Sequence, residues 1–246
     1  MSGAARVVML GVEVDAVTDR EALARVAAMV EDGRPHLMVV VNASKLSLAS
    51  RDPELCRIIR GADLVTADGM SVVWGARVLG RRLPGRVTGI DTMEALVGLA
   101  AARGWRVFFL GAAREALDLA VANLRARHPS LVVAGRHDGY FEGREAEVAA
   151  VVRDARPHLL FVGMGSPAQE RFLDRFLGEM RVPFALGVGG SFDHIAGLSR
   201  RAPAWMQRSG LEWAHRLLSE PRRLWRRYLF GSARFAGLLL RQRLGK

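Results

Sequence analysis

Short apolar runs recur along most of the chain, and a longer amphipathic stretch follows nearly every one of them. The runs are apolar at consecutive positions and do not alternate, which is typical of strands buried on both faces of a sheet. They predict six β-strands. These are HLMVVV (36–41), ADLVTA (62–67), WRVFFL (105–110), LVVAG (131–135), HLLFVG (158–163) and PFALGV (183–188).

The stretches between the runs place apolar residues three or four positions apart, as one buried face of a helix requires. They are PELCRIIR (53–60), SVVWGARVLG (71–80), DTMEALVGLAAARG (91–104), REALDLAVANLRARH (114–128), REAEVAAVVRDA (144–155) and PAQERFLDRFLGEM (167–180). Strands that alternate with helices predict an α/β fold, with a Rossmann-like, mostly parallel sheet flanked by helices.

Positive charge is concentrated at the end of the chain. The whole sequence carries a net charge of +11, and eleven Arg and one Lys against two Glu give residues 200–246 a net +10. Residues 1–199 are therefore almost neutral. We expect a catalytic domain over 1–199 and a basic C-terminal appendage over 200–246. A cationic end on a neutral body indicates a local docking device, for which anionic lipid headgroups, phosphate-bearing substrates and nucleic acid are all candidates.

The other features of the composition predict a cytoplasmic protein. Cys56 is the only cysteine, so no internal disulfide forms. The first residues lack a basic segment followed by a long apolar one, so we expect no secretory signal. No apolar run reaches the roughly 18 residues that a membrane-spanning helix needs. Any membrane contact should therefore be peripheral and made by the appendage.

Two polar residues directly follow predicted strands. Asn42 comes after the first run and Asp68 after the second. Ligands of open α/β sheets bind beyond the carboxyl ends of the strands, which makes both residues candidates. Taken alone, each is more typical of a helix N-cap. The functional alternatives are an amide that holds a sugar hydroxyl or a nucleotide, and a carboxylate that takes a proton from an attacking hydroxyl.

Glycines follow the last two predicted strands. They are Gly163 and Gly165 in FVGMGSPAQE, and Gly187, Gly189 and Gly190 in ALGVGGSFD. Backbone amides at a helix start can hold a phosphate, although a plain tight turn also explains such glycines. The loop RRLPGRVTGID adds Arg81, Arg82 and Arg86, which face either an anionic ligand or solvent.

Sequence patterns that bind metals are missing. No two aspartates stand two positions apart, and no Cys/His cluster has the spacing of metal ligands. We therefore expect neither a catalytic metal nor a cofactor. Charge that develops during a reaction would then be stabilised by arginines and helix N-termini.

Several long blocks, taken together and in order, resemble one enzyme family. They are ADLVTADGMSVVWGARVLGRRLPGRVTGID, HDGYF, FVGMGSPAQERF, GVGGSFDHIAG and RAPAWMQRSGLEWAHRLLSEPRRLWRRY. The chain is similar, from about residue 8 to residue 230, to the WecG/TagA/CpsF glycosyltransferases, glycosyltransferase family 26. The resemblance implies an inverting, metal-independent enzyme on the inner face of the bacterial cytoplasmic membrane. It would move a sugar from a UDP-sugar donor to a polyprenyl-diphosphate-linked acceptor.

The resemblance also implies roles for individual residues. Asp68 matches the proposed general base, and the polar residues near the donor sugar match Asn42, Arg86 and Gln169. The nucleotide side matches Tyr140 and the GVGGSFD stretch, which contains Gly187, Gly189, Gly190 and Asp193. The basic residues that meet the diphosphate match Arg216, Arg223 and Arg226. An inverting transfer needs one base for the acceptor hydroxyl and cations for the departing UDP, which agrees with these roles.

One position departs from the family pattern. Many relatives carry Thr two residues before the Asn, where this chain has Val40. Valine cannot form a hydrogen bond to a sugar, so the donor could be glucose or another hexose as well as an N-acetylhexosamine. In the appendage, apolar residues at helical spacing lie beside a stripe of arginines, with Trp225 and Tyr228 among them. Such a stripe suits an anionic membrane interface, or a solvated helix packed on the core.

Two other functions fit parts of the sequence. A nucleotide-binding oxidoreductase would share the strand and glycine pattern, but the full dinucleotide fingerprint and its acidic ribose ligand are missing. A nucleic-acid-binding protein could use the cationic tail, but no known nucleic-acid-binding motif accompanies the charge. The glycosyltransferase is favoured over both, and the oligomeric state stays open.

Overall fold

A computed structural model of the chain describes residues 5–199, 202–203, 206 and 233–245. The strands are β1 (Arg6–Met9), β2 (Val12–Asp15), β3 (His36–Val41), β4 (Leu64–Ala67), β5 (Arg106–Gly111), β6 (Val132–His137), β7 (Leu159–Gly163) and β8 (Phe184–Gly187). The helices are α1 (Asp19–Asp32), α2 (Ala43–Ala49), α3 (Pro53–Gly61), α4 (Met70–Val78), α5 (Gly89–Arg103), α6 (Arg114–Arg127), α7 (Glu145–Ala155), α8 (Ala168–Met180) and α9 (Ser191–Ile195).

The predicted α/β fold is confirmed. Strands β3 to β8 form one sheet in the order β4-β3-β8-β7-β5-β6, and every neighbouring pair is parallel. All six predicted strands lie in this sheet, and all six predicted helical stretches are helices. Since the strands are parallel, all their carboxyl ends lie at one edge of the sheet.

Helices cover both faces of the sheet, and side chains of one strand alternate between the two hydrophobic layers. In β3, Val39 and Val41 pack with α2, α3, α4, α7 and α8, whereas Met38 and Val40 pack with α1, α5, α6 and α9. Burial on both faces explains why the runs of β3, β4, β5, β7 and β8 are apolar throughout, whereas the residues of the edge strand β6 are partly buried or exposed.

The helix starts follow local capping rules. Thr18 forms a capping box with Glu21 at the start of α1, and Thr88 caps α5 by accepting from the backbone N–H of Asp91. Helix α3 has Asp52 as its N-cap and proline at its first position. These caps fix where the chain leaves the strands and therefore where each loop of the sheet edge ends.

The N-terminal hairpin was not predicted. Strands β1 and β2 pair antiparallel in a sheet of their own, and Asp15 joins this hairpin to the body. Its buried carboxylate bonds to Arg6 and Arg25 and also accepts the backbone N–H of Val65 in β4, at 2.9 Å. Two arginines and one backbone donor offset the cost of burying this charge.

The end of the chain packs on the body. Residues 233–243 are helical, and Phe235 and Leu239 are buried in the same hydrophobic layer as α4. The side chain of Gln242 accepts from the Leu10 N–H at 2.9 Å and donates to the Val8 carbonyl at 3.0 Å. This helix therefore supplies two hydrogen bonds to the backbone of the hairpin. Among the described residues, no helix is both long enough and apolar enough to cross a membrane.

A substitution at Gly75 tests how much the packing of the C-terminal helix on α4 contributes to stability. A Cβ at Gly75 would lie 2.9 Å from Leu239 Cδ1 and 3.2 Å from Phe235 Cζ. We expect Gly75→Leu to force the C-terminal helix away from α4 and to lower the free energy of unfolding by about 1–3 kcal/mol. Urea denaturation followed by circular dichroism measures the loss.

The matched control is Gly178→Leu in α8. No atom lies within 4 Å of a Cβ at that position, so leucine should be tolerated there and should gain helix propensity. Equal stability of the Gly75 and Gly178 variants would show that the contact with α4 contributes nothing.

Candidate active site

Backbone hydrogen bonds gather three of the predicted site residues where β3 and β4 end. The N–H of Asp68 donates to the Val41 carbonyl, and the N–H of Val87 donates to the Ala67 carbonyl, each at 2.8 Å. The first bond sets the residue after β4 beside the end of β3, and the second holds the loop before α5 against β4. The residues brought together in this way are Asn42, Asp68 and Arg86.

Asp68 is not the N-cap of the helix that follows it. Gly69 takes that position in α4, without a side-chain hydrogen bond. The carboxylate instead accepts the backbone N–H of Gly89, the first residue of α5, with 3.2 Å between Oδ1 and the nitrogen. The half-buried Asp68 therefore lies in front of a helix N-terminus, which favours a charged carboxylate there.

Asn42 is the N-cap of α2, as its sequence context indicated. Its Oδ1 accepts the backbone N–H of Lys45 at 3.0 Å. The cap uses the oxygen of the amide and fixes the orientation of the group. The cap does not involve the Nδ2 group of Asn42, which is a hydrogen-bond donor at the carboxyl end of β3.

The arginines of the loop between α4 and α5 lie in two settings. Burial and the nearby Asp91 raise the pKa of the Asp19 carboxyl, while the positive charge of Arg86 opposes that rise. Arg86 is therefore close to Asp19 at the start of α1. Arg81 and Arg82 instead line an open cavity of about 680 Å³ together with Arg77.

The glycine segments that follow β7 and β8 lie next to the group formed by Asn42, Asp68 and Arg86. The N–H of Val188 donates to the Val162 carbonyl at 2.8 Å, which holds the turn after β8 beside the end of β7. A Cβ at Gly89 would lie 3.8 Å from the Cα of Val188, so the residue that bonds Asp68 also borders this turn. The glycines at this part of the edge are Gly163, Gly165, Gly187, Gly189 and Gly190.

Tyr140 lies farther along the same edge, beyond β5. The N–H of Gly139 donates to the Ala112 carbonyl at 2.9 Å, and Asp138 accepts the Tyr140 N–H. Tyr140 is 77% exposed, so a flat ligand could stack on its ring. Asp193 lies in α9, just after the glycine turn, and its backbone carbonyl accepts two N–H groups of the following loop.

A buried polar network, which the sequence reasoning missed, lies beneath the glycine turn. Lys45 Nζ donates to Glu170 Oε1 at 2.6 Å, and the two side chains are only 6% and 3% exposed. Burial opposes the charged form of Glu170, but Lys45, helped by Gln169 and Ser166, holds the pKa of Glu170 below its ordinary value. The two partners are 125 residues apart in the sequence, so no local pattern could have paired them.

Gln169 belongs to this network. It is 2% exposed, its Nε2 donates to Glu170 at 2.9 Å, and its Oε1 accepts the backbone N–H of Gly189 at 3.1 Å. Both ends of the amide therefore bond to the protein. The resemblance placed this residue near the donor sugar, and the geometry places it under the glycine turn.

Two sequence-based expectations, on the arginines of the appendage and on the absence of a catalytic metal, are not tested by the structure. Arg216, Arg223 and Arg226, which the resemblance assigned to the diphosphate, lie outside the described residues. Within residues 5–199, 202–203, 206 and 233–245, no group of three or more His, Cys, Asp or Glu side chains is arranged to hold a metal ion. Both expectations stay predictions.

Comparison with known proteins gives the family. The sequence matches the model of the Glycosyl transferase WecG/TagA/CpsF family over residues 7–246. The chain belongs to this family. The resemblance in the sequence blocks is therefore confirmed, and the WecG/TagA/CpsF match extends past residue 230 to the end of the chain.

Two relatives in the family come from Bacillus, and both bear the same name, N-acetylglucosaminyldiphosphoundecaprenol N-acetyl-beta-D-mannosaminyltransferase. The protein of Bacillus subtilis (strain 168) is 33% identical over 189 residues, which cover 77% of this chain and 73% of that protein. The protein of Bacillus spizizenii (strain ATCC 23059 / NRRL B-14472 / W23) is 35% identical over 181 residues, covering 74% and 70%. This WecG/TagA/CpsF chain is thus similar along most of its length to two glycosyltransferases.

Proposed function

We propose that the chain is an inverting, metal-independent glycosyltransferase of bacterial cell-surface polysaccharide synthesis. It moves a hexose or N-acetylhexosamine from a UDP-sugar to a polyprenyl-diphosphate-linked glycan. Support for the acceptor comes from the two Bacillus relatives, whose name specifies an undecaprenol-diphosphate-linked sugar. The enzyme works as a peripheral protein on the inner face of the cytoplasmic membrane.

The observation that carries this proposal is the position of the Asp68 carboxylate. It lies where β3 and the edge strand β4 end, held by the Gly89 N–H, with Asn42 and Arg86 beside it. One oriented carboxylate beside amide and guanidinium donors suits a single-displacement transfer, which needs one general base.

The reaction then follows from the residues. The Asp68 carboxylate takes the proton of the acceptor hydroxyl while the oxygen of that hydroxyl forms a bond to the anomeric carbon of the donor. On the opposite face of the sugar, the bond from that carbon to the diphosphate oxygen breaks, so the configuration inverts. UDP leaves with the bonding electrons, and Arg216, Arg223 and Arg226 stabilise its negative charge.

Each side of the donor has its own contacts in this proposal. The Asn42 Nδ2 and Arg86 bind the sugar hydroxyls, and the glycine turns after β7 and β8 offer backbone N–H groups to the diphosphate. Asp193 and the exposed ring of Tyr140 border the nucleoside. Val40 is buried against Gly89 and has no hydroxyl to bind a sugar. The candidate donor sugars therefore include glucose as well as N-acetylmannosamine.

The basic segment 200–246 acts in this proposal as one functional appendage on the domain formed by 1–199. Its last helix is packed on α4 and the hairpin, which fixes one end of the segment to the body. Its arginines bind anionic headgroups, each contributing about 1 kcal/mol of salt-sensitive attraction, and three of them complete the active site.

A screen of donors tests the proposed function directly. The purified full chain is mixed with UDP-glucose, UDP-N-acetylglucosamine or UDP-N-acetylmannosamine and a short-chain polyprenyl-diphosphate-linked N-acetylglucosamine, with and without EDTA. We expect transfer from one donor, inversion at the anomeric carbon and the same rate in EDTA. Failure of every donor, or activity that returns only with a divalent ion, would refute the proposal.

The role of Asp68 is tested by Asp68→Asn. Asparagine keeps the oxygen that accepts the Gly89 N–H, so the fold and UDP binding should persist. Loss of the base should lower the turnover rate by on the order of 10²- to 10⁴-fold. The measurement is single-turnover transfer at saturating donor and acceptor.

The matched control for this variant is Asp63→Asn. Asp63 stands at the other end of the same strand, and its carboxylate likewise accepts one backbone N–H, from Leu37 at 2.9 Å. We expect it to keep the wild-type turnover rate. A folded Asp68→Asn enzyme that is as fast as Asp63→Asn cannot use Asp68 as its base.

Single arginine substitutions separate the two proposed tasks of the appendage. We expect Arg216→Ala, Arg223→Ala and Arg226→Ala each to lower turnover on a soluble short-chain acceptor by about tenfold or more, because a cation facing the leaving group is lost. Arg241→Ala is the control, since Arg241 is exposed on the packed helix. Arg243 is less suitable because it donates to the Val78 carbonyl. Equal turnover in all four variants would make the segment a membrane anchor only.

A further inference from the structure

The buried pair Lys45–Glu170 links the segments that follow three neighbouring strands. Lys45 belongs to α2, which follows β3, and Glu170 lies in the first turn of α8, which follows β7. Strand β8 lies between β3 and β7 in the sheet, and its glycine turn lies above the pair. The network therefore spans the centre of the candidate site from one flank to the other.

The chemistry of the partners fixes the orientation of the Gln169 amide. Its neighbour on one side is the Glu170 carboxylate, which only accepts, and on the other the Gly189 N–H, which only donates. A flipped amide would set oxygen against oxygen and N–H against N–H. Lys45 matters because it keeps Glu170 ionised and therefore an acceptor.

The same amide packs directly against Gly187, the last residue of β8. A Cβ at Gly187 would be 2.4 Å from Gln169 Nε2, so only glycine leaves room for the side chain. The N–H of Gly189 donates to the Oε1 of this amide, and the backbone of Gly189 is in the left-handed region, with φ of +55°. Asn42 joins at the other flank, since its side chain caps the N–H of Lys45.

We propose that Lys45 and Glu170 are positioning residues, which act through Gln169 to set the glycine turn 187–190 for binding of the sugar nucleotide. This inference rests on the proposed function and adds to it. The pair does not touch the donor, because both side chains are buried below the turn. Its effect on the donor is therefore transmitted by the Gly189 segment.

The decisive variant replaces the whole pair. Lys45→Met alone leaves a buried carboxylate without its cation and is expected to destabilise the fold. The double variant Lys45→Met/Glu170→Leu removes both charges, and apolar replacements for a buried ion pair are often neutral in stability or better. It should therefore regain most of the melting temperature that Lys45→Met loses, short of the cost of one buried amide donor without a partner. It gives Gln169 Nε2 no acceptor, so the amide is no longer held in one orientation.

We expect two changes in the double variant. The Gly189 amide should exchange with deuterium about tenfold faster or more, as measured by NMR, because its acceptor is no longer fixed. The dissociation constant for UDP and the donor KM should rise by about tenfold, the effect of roughly one lost hydrogen bond, with a smaller change in kcat. Gln169→Leu should reproduce these changes, and adding it to the double variant should have little further effect.

The control is the neighbouring pair Arg57–Asp174. Asp174 lies one turn after Glu170 on α8 and bonds Arg57 of α3 at 2.6 Å, but this pair is exposed and away from the turn. Arg57→Met/Asp174→Leu should leave UDP binding and Gly189 exchange unchanged.

The outcomes separate this inference from the proposed function. A double variant that regains stability and also keeps wild-type UDP affinity, donor KM and Gly189 exchange would show that the pair is structural only, while the transferase assignment stands. A wild-type chain that binds no UDP overturns both. Recovered stability with weakened UDP binding and faster Gly189 exchange supports the positioning role.

Discussion

The parallel sheet, buried on both faces, is the constraint on which the rest of the structure depends. Its strands can satisfy their backbone groups only by pairing with each other, and parallel pairing sends every carboxyl end to the same edge. Residues far apart in the sequence, such as Asn42, Asp68 and Gly189, therefore lie at the same edge because of strand direction alone. The site is a consequence of strand direction first and of local chemistry second.

That constraint is also why so much of the fold could be predicted. A strand buried on both faces must be apolar at nearly every position, and the six apolar runs correspond to six strands whose ends differ from the prediction by two residues at most. The β1–β2 hairpin lacks this signal, because its strands have four residues each and present Arg6 and Val8 outward. The packing of the last helix depends on a glycine that meets Leu239 across 164 residues, and no sequence period records such a contact.

The site was predictable to a smaller extent, for the same physical reason. Position after a strand pointed to Asn42 and Asp68, but an N-cap and a catalytic group look alike in one sequence. Only the tertiary contacts separate them. Asn42 caps its own helix, whereas Asp68 leaves that task to Gly69 and accepts from α5 instead. The ion pair of Lys45 and Glu170 had no local signal, because neither residue follows a strand directly.

The geometry of Gln169 changes how its place in the family pattern should be understood. A buried amide whose oxygen and nitrogen both bond to the protein has little capacity left for a sugar hydroxyl. A residue can nevertheless matter for binding when it holds the atoms that make the contact, here the backbone of Gly189. Backbone donors of a glycine turn have no side chains to orient them, so their direction must come from a neighbour that is itself fixed. A buried charge pair is a suitable support, because moving either partner exposes an uncompensated charge in the core.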